Sequence, residues 1–396
     1  MRILIAHRGK YPNIGGVAAY ITQLKQGLES KGHQVDLLAR TDSFFRFYLN
    51  NRNHEFDITK LYQNLKPNIK KRIENLGEID AYFKQAEIDR YIYGEVASYF
   101  GLEKYDVIHA QDLQSAYALS FIKPEKTPLI GTVHGTPIYN KLLDEGLSYE
   151  SKSWEFSKSY DREAANSSDQ WILPSEWMKH FLINSYSVPE QKLSVVHHGI
   201  DLNLFNKKME EQVTLPPSSN KTVIACPARL TEVKGHKYLF EALAKLKKDR
   251  EDWICWLIGD GNLENELRKQ VAELNLDEHV VFLGYQSNVP AVLKKSDIVV
   301  LASLQENQPY AVMEGQLAGK PVVATNVGGI PEMIAHNKTG LLSKGQNSNG
   351  LYVNLKKLLD DKELRDTLGS NAQKFAMKAW DLERMINDTI SVYTKS

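Results

Sequence analysis

Two doubly wound α/β domains, each built on a parallel sheet, are predicted by three features of this sequence. Its 396 residues exceed what one hydrophobic core ordinarily serves. Short Val/Ile/Leu-rich runs alternate with helix-length segments, the pattern of strands covered on both faces. The runs also fall into two series, separated by the polar, proline-containing stretch NKKMEEQVTLPPSSNK at 206–221.

The first series opens with RILIAH, a loop holding Gly15-Gly16, and a helical pattern from Val17 to Lys31. QVDLLA follows as a second strand, then a less regular segment over 42–104. YDVIHA, PLIGTVH, QWILPS and LSVVHH complete the series, each apolar run ending in polar residues. The second series comprises TVIACPA, WICWLIGDG, HVVFLG, DIVVLAS and KPVVATN. The boundary is expected near 200–220, giving domains 1–200 and 201–372 with a terminal segment 373–396. Open parallel sheets collect ligands at the carboxyl ends of their strands. Two of them face to face would leave a central cleft lined by those loops.

Composition narrows the class. Hydrophobic residues are 42% and charged residues 25%, and Lys+Arg and Asp+Glu are equal at 49 each. No overall field calls for a nucleic acid. The two cysteines, Cys226 and Cys255, each lie in a strand-like run, which suits a reducing compartment rather than a disulfide or zinc scaffold. MRILIAHRG reads as a first strand, its apolar run being too short for a secretion signal. No run approaches the about 18 apolar residues of a membrane span. A cytoplasmic protein is expected.

Gly15-Gly16 allows close backbone approach to a ligand at a helix N-terminus. A turn that merely needs glycine explains the pair equally well, and the spacing is not Gly-x-Gly-x-x-Gly. In PARLTEVKGHKYLFEAL, Arg229 falls just past a strand, and Lys234 stands beside Gly235 where a helix should start. A lysine at a helix N-terminus faces an already positive dipole end. A bound anion between the two cations reverses that penalty, so diphosphate binding is favoured over two solvated surface charges. Gly-Asp-Gly in LIGDGNLENEL is adequately explained as a turn. His134, flanked by Gly131 and Gly135 at a strand end, ranks above His109 as a substrate contact, and His197-His198-Gly199 reads as structural. No His/Cys/Asp cluster has metal-ligand spacing and no Asp-x-Asp closes a strand, so no metal is expected.

The most informative stretch is ENQPYAVMEGQLAGKPVVAT, 306–325. Pro309 suits the first helical position, and Gly319 and Pro321 end the helix. Tyr310, Met313 and Leu317 form an apolar face that Glu314 shares. A carboxylate there is costly unless hydrogen-bonded. Helical side chains lean toward the N-terminus, which points Glu314 toward the loop of Glu306. Two acceptor-only groups at one helix start suit a hydroxyl-rich ligand. The competing explanation is that Glu314 caps the amides of a neighbouring strand.

Together these residues resemble the family-4 retaining glycosyltransferases, which have two Rossmann-like domains in the GT-B arrangement. Glu306 and Glu314 match the family's Glu-x7-Glu, and Arg229, Lys234 and Gly235 match Arg-x4-Lys-Gly. The early Gly-Gly loop, His134 and the HHGID segment also fit. The resemblance spans nearly the whole chain except 42–104. It implies that Arg229 and Lys234 neutralise the donor diphosphate, that Glu314 holds the ribose, and that Glu306 and the amides after it hold the transferred sugar. It places His134 near the sugar's reacting face, lets Gly15-Gly16 approach the phosphates, and returns the last helix, 373–396, to the first domain. Many members carry Gly-Phe-Gly after the first glutamate, where this chain has Asn307, Gln308 and Pro309, the last without an N–H. The hexose pocket is therefore expected to differ, and Tyr310 is counted with these residues among the donor contacts.

The implied activity is retaining transfer of a hexose from a UDP-sugar, without metal or other cofactor, to a glycan, lipid-linked or small-molecule acceptor in surface polysaccharide or glycoconjugate synthesis. A nucleotide-sugar epimerase, a glycan phosphorylase or an inactive nucleotide-sugar-binding subunit could share the architecture. The acceptor falls to the first domain. There Phe44, Phe45, Phe47 and Tyr48 precede the basic residues Lys66, Lys70, Lys71 and Arg72. Peripheral contact with the inner face of a membrane is one reading of this segment. A solvated helix is the other and is favoured, since Glu74, Glu78 and Asp80 follow at once.

Overall fold

The apolar runs become the strands of two sheets in the computed structural model, which describes residues 1–13, 15–50, 54–74, 81–135, 151–218 and 221–395. Contacts divide the chain into two units, Met1–His198 with Leu382–Ser396, and Gly199–Asp381.

In the first unit, β1 (Arg2–Lys10), β2 (Gln34–Arg40), β5 (Val107–Ala110), β6 (Leu129–Thr132), β7 (Gln170–Leu173) and β8 (Leu193–Val195) are parallel. The irregular segment adds β3 (Arg46–Leu49) and β4 (Glu55–Asp57), paired antiparallel at the edge. The strand order is therefore β4-β3-β2-β1-β5-β6-β7-β8, a mixed sheet rather than the wholly parallel one expected. An edge hairpin meets only one neighbour, so it lacks the long apolar run that marks a doubly covered strand. It also places Phe47 and Tyr48 in the core, while Phe44 and Phe45 stay exposed. Half of the supposed aromatic surface is thus packing. Lys71 is exposed; the side chains of Lys66, Lys70, Arg72 and Glu74, and the whole of Glu78 and Asp80, lie outside the described residues.

The second unit stacks β11 (Val280–Gly284), β10 (Trp253–Ile258), β9 (Thr222–Pro227), β12 (Ile298–Leu301), β13 (Val322–Asn326) and β14 (Gly340–Lys344) in that order. All pairs are parallel. Trp253, Trp256 and Phe240 are fully buried around this sheet, each contributing several kcal/mol of apolar burial, about 25 cal/mol per Å². The order reverses direction between β9 and β12, and in the first unit between β1 and β5. Such reversals open the crevices where doubly wound folds bind ligands.

The terminal segment 373–396 is two helices rather than one. Lys362–Ala379 ends at Trp380, whose indole donates to Gln316 Oε1 at 2.8 Å and whose carbonyl accepts from Ile200 N at 2.8 Å. Both contacts hold the break in the second unit. Leu382–Lys395 then belongs to the first unit, burying the stripe Met385, Ile386, Thr389, Val392 and Tyr393. It lies against helix Gly16–Ser30, where a Cβ on Gly27 would fall 2.4 Å from Ile386 Cγ1.

Candidate active site

At the β9/β12 reversal, backbone contacts rather than side chains do most of the positioning. The segment after β9 runs through Arg229 and a 3₁₀ turn, Glu232–Lys234, to Gly235 at φ +63° and then helix His236–Asp249. Leu304 N, in the segment after β12, donates to Val233 O at 2.8 Å. A Cβ on Gly235 would lie 2.2 Å from Ala302 O, so the two segments touch backbone to backbone. Gly259 and Gly261, after β10, pack in the same way on Ala228 O and Leu230 O, each at 2.3 Å from a built Cβ. Their role is the structural one expected.

Across this seam Lys234 Nζ meets Glu306 Oε1 at 2.5 Å, and Ser303 Oγ donates to the same oxygen at 2.7 Å. The lysine and glutamate side chains are 17% and 10% exposed, so the pair is shielded from bulk water without being sealed. The sequence placed Lys234 at a helix start lacking a partner; the structure gives it Glu306. Thr325 Oγ1 fixes Ser303 by donating to its carbonyl at 2.6 Å. Gly329 N donates to Glu306 O at 3.3 Å, and a Cβ on Gly328 would lie only 1.8 Å from that oxygen. Ser303, Thr325 and Gly328 escaped the sequence reading. The one available signal was a second Gly-Gly after a strand, at 328–329, repeating that at 15–16. Arg229 is exposed, with no ion-pair partner among the described residues.

The following helix starts one residue later than expected, at Tyr310, with Pro309 as its N-cap (φ −70°, ψ 126°) and Pro309 O accepting from Val312 N at 3.1 Å. Asn307 and Gln308 are buried at 5% exposure each, so they pack into the loop. Met313 and Leu317 are core, and Tyr310 and Glu314 are half-buried beside them. Among the described residues no strand amide and no cation bonds the Glu314 carboxylate, so the capping explanation does not apply. Burial pushes its pKa up to about 7, the Lys208 charge opposing this weakly.

That shift carries a sign. A carboxyl whose folded pKa exceeds its unfolded value of 4.5 loses stability as pH rises from about 4.5 through 7. The loss is on the order of 1–3 kcal/mol, at about 1.4 kcal/mol per unit and discounted for partial solvent access. Glu314→Gln is therefore expected to raise the Tm at pH 8 and leave it nearly unchanged at pH 4, checked by calorimetry at both values.

In the first unit, Gly15 (φ +132°) precedes helix Gly16–Ser30 with open space where a Cβ would stand. His134 Nε2 lies 3.2 Å from Gln111 Oε1. Its ring packs edge-on against Tyr20 at 4.7 Å and beside His198 at 5.6 Å. Burial, reinforced by His198, His7 and His109, holds the His134 pKa well below the ordinary imidazole value, so it is neutral at pH 7. His198 thus sits against the candidate residue; its structural reading missed this because the two are 64 positions apart. His109, ranked below His134 as a substrate contact, is a satisfied core histidine, bonded at 2.6 Å both to Tyr393 Oη and to Thr132 Oγ1. Gly131 serves packing rather than substrate approach, since a Cβ there would fall 2.1 Å from the Trp171 ring. Gly135 has open space. Among the described residues no group of three His, Cys, Asp or Glu side chains is placed to hold a metal. No helix among them is long and apolar enough to cross a membrane.

Two family models account for almost all of this chain: Glycosyltransferase Family 4 over residues 14–204 and Glycosyl transferases group 1 over 207–375. The chain belongs to glycosyltransferase family 4. This glycosyltransferase is 24% identical to the N-acetyl-alpha-D-glucosaminyl L-malate synthase of Bacillus anthracis, over 97% of its own length and 94% of the relative's. It is 23% identical to the UDP-Gal:alpha-D-GlcNAc-diphosphoundecaprenol alpha-1,3-galactosyltransferase of Escherichia coli, over 99% and 97%. The crystal structure of Anabaena HepE in complex with UDP-glucose superposes with a TM-score of 0.72 at 20% identity, covering 100% of both chains. The glycosyltransferase therefore has the GT-B fold.

Proposed function

We propose that this glycosyltransferase moves a hexose from a UDP-sugar, with retention at the anomeric carbon and without a metal, to a glycan or lipid-linked acceptor of surface polysaccharide or glycoconjugate synthesis. The observation that carries the reading is the joining of Lys234, Ser303 and Glu306 at the β9/β12 reversal, with the Glu314 carboxylate, unpaired among the described residues, in the next helix. A diphosphate recruits Lys234 and the exposed Arg229, cations that stabilise charge developing on the leaving group. Glu306, released from the lysine, accepts hydroxyls of the transferred hexose, and Glu314 accepts those of the ribose. Asn307, Gln308 and Pro309 shape the hexose side. In the first unit, His134, neutral, offers a hydrogen bond to substrate, and Gly15-Gly16 leaves room for close backbone approach to it. The relatives' names support a UDP donor and a lipid-linked acceptor. Such an acceptor brings a cytoplasmic enzyme to the inner face of a membrane, to which Phe44 and Phe45 offer exposed apolar surface.

The test is a thermal-shift and product screen with UDP-, GDP- and ADP-sugars. Selective stabilisation by UDP-sugars is expected, since a ligand bound only to the folded state raises Tm by mass action. Stabilisation by none of them, or epimerised sugar from donor alone, would overturn the reading. If Glu314 must be ionised to accept the ribose hydroxyls, UDP affinity should also weaken as pH falls below about 7.

A further inference from the structure

One cation in the first unit, Arg40, is half-buried without a counter-charge among the described residues. Arg40 ends β2, beside Lys10 at the end of β1 in the parallel register. Its guanidinium carbon lies 4.6 Å from the Phe44 ring centre and 4.9 Å from that of Phe47, which holds its plane in place. Its Nε is enclosed by protein and donates to nothing among the described residues. Among the described residues no carboxylate lies within ion-pair distance of it. Burial works against its charge, Asp89 eases this from a distance, and Arg8 adds to it.

The neighbouring charges do not cancel it. Arg8 Nε lies 3.5 Å from Asp112 and Arg8 Nη1 lies 4.0 Å from Asp89, so these two carboxylates face Arg8, while Asp42 pairs with Lys10 at 2.7 Å. Asp112 also caps helix Leu113–Ser120 through Ser115 N at 2.8 Å and Ser115 Oγ at 2.7 Å. Asp89 accepts from Gln85 at 2.8 Å. His7 lies 3.8 Å from Asp112, and burial lowers its pKa, so it adds a neutral donor or acceptor. All of this stands at the carboxyl ends of β1 and β2, the ligand end of a doubly wound sheet. A pre-set arginine with its donor fork unspent there is built for a planar or tetrahedral oxyanion.

We infer that Arg40, assisted by Arg8, anchors an oxyanion, a phosphate or carboxylate, of the acceptor substrate. This rests on the transfer reading above. The acceptor is then an anionic molecule, and Arg40 selects it against neutral analogues of the same shape.

The wild type, Arg40→Gln, Arg40→Lys and Lys234→Ala are titrated with glycerol 3-phosphate, glycerol and UDP at constant ionic strength. The wild type and Lys234→Ala should bind glycerol 3-phosphate and not glycerol. Arg40→Gln should lose about ten-fold or more in that affinity, and Arg40→Lys less, because the charge stays while the fork is lost. UDP binding should survive Arg40→Gln and fail in Lys234→Ala. Unchanged glycerol 3-phosphate binding in Arg40→Gln overturns the inference. Failure of the wild type to bind UDP instead overturns the donor assignment and leaves Arg40 standing. Should the variants not fold, phenylglyoxal modification of Arg40 in the wild type, mapped by mass spectrometry, replaces them. Slowing by glycerol 3-phosphate supports a soluble acceptor's anion. Slowing only by phosphatidylglycerol vesicles, and not by phosphatidylcholine, supports a lipid-borne one. Slowing by neither overturns the inference.

Discussion

Lys234→Ala is expected to lower kcat/KM for sugar transfer by about 10²–10³-fold, the usual cost of removing one preorganised group from developing negative charge. The structure adds a second consequence, because in the free protein Lys234 compensates Glu306 at 2.5 Å. Without it, a carboxylate 10% exposed keeps Ser303 Oγ and loses its only cation among the described residues. Removing one partner of a shielded pair destabilises more than the pair itself stabilises. We expect a loss of roughly 1–2 kcal/mol, less than for a sealed pair because water reaches both groups. The double variant Lys234→Ala/Glu306→Gln separates the two effects. It should regain most of the lost Tm, since no charge is left alone, and regain none of the transfer activity. Recovered activity would mean that Lys234 acts only by compensating the Glu306 charge. Full activity in Lys234→Ala would remove it from the site altogether.

The same pair shows how far a sequence can be read toward a site. Lys234 and Glu306 were legible because charged residues beside strand ends have few structural reasons to be there. Their direct contact was not, since 72 positions separate them and only the β9–β12 pairing brings them together. The strands divide likewise. Those buried on both faces, such as WICWLI, announce themselves as unbroken apolar runs. GLLSK of β14 and EFD of β4 do not, being edge strands whose solvent side tolerates polar residues. Glycines were the most ambiguous residue. Gly131 beside His134 looked like room for a substrate, yet it makes room for Trp171, 40 positions away. Gly15 does face open space. Nothing in either local sequence separates the two cases; the neighbour decides. Arg40 was passed over for the same reason, as a polar end to QVDLLA whose isolation appears only when its surroundings are known.

Gly328→Ala should be among the most damaging single substitutions in the second unit, although the residue carries no functional group. Two independent costs coincide. Its φ is +54°, a left-handed backbone that alanine adopts at about 1–2 kcal/mol. The added Cβ would also stand 1.8 Å from Glu306 O and 2.9 Å from Glu306 C, contacts with backbone that no rotamer change can relieve. The 306 peptide or the β13 end must therefore move. Glu306 O is held by Gly329 N at 3.3 Å, and Ser303 is tied to β13 through Thr325, so a shift at either place is passed to the glutamate that meets Lys234. A displacement near 1 Å at a positioned group costs about 10²-fold in rate. Transfer is expected to fall by about that factor and the Tm by several degrees. A matched change clarifies the cause: Gly135→Ala, where a Cβ meets nothing within 4 Å, should leave stability unaltered. If Gly328→Ala loses Tm but keeps kcat/KM, the loop relaxes away from Glu306 and the glycine serves only the fold. If it loses both, the carbonyl of Glu306 is the point through which β13 sets the geometry of the site.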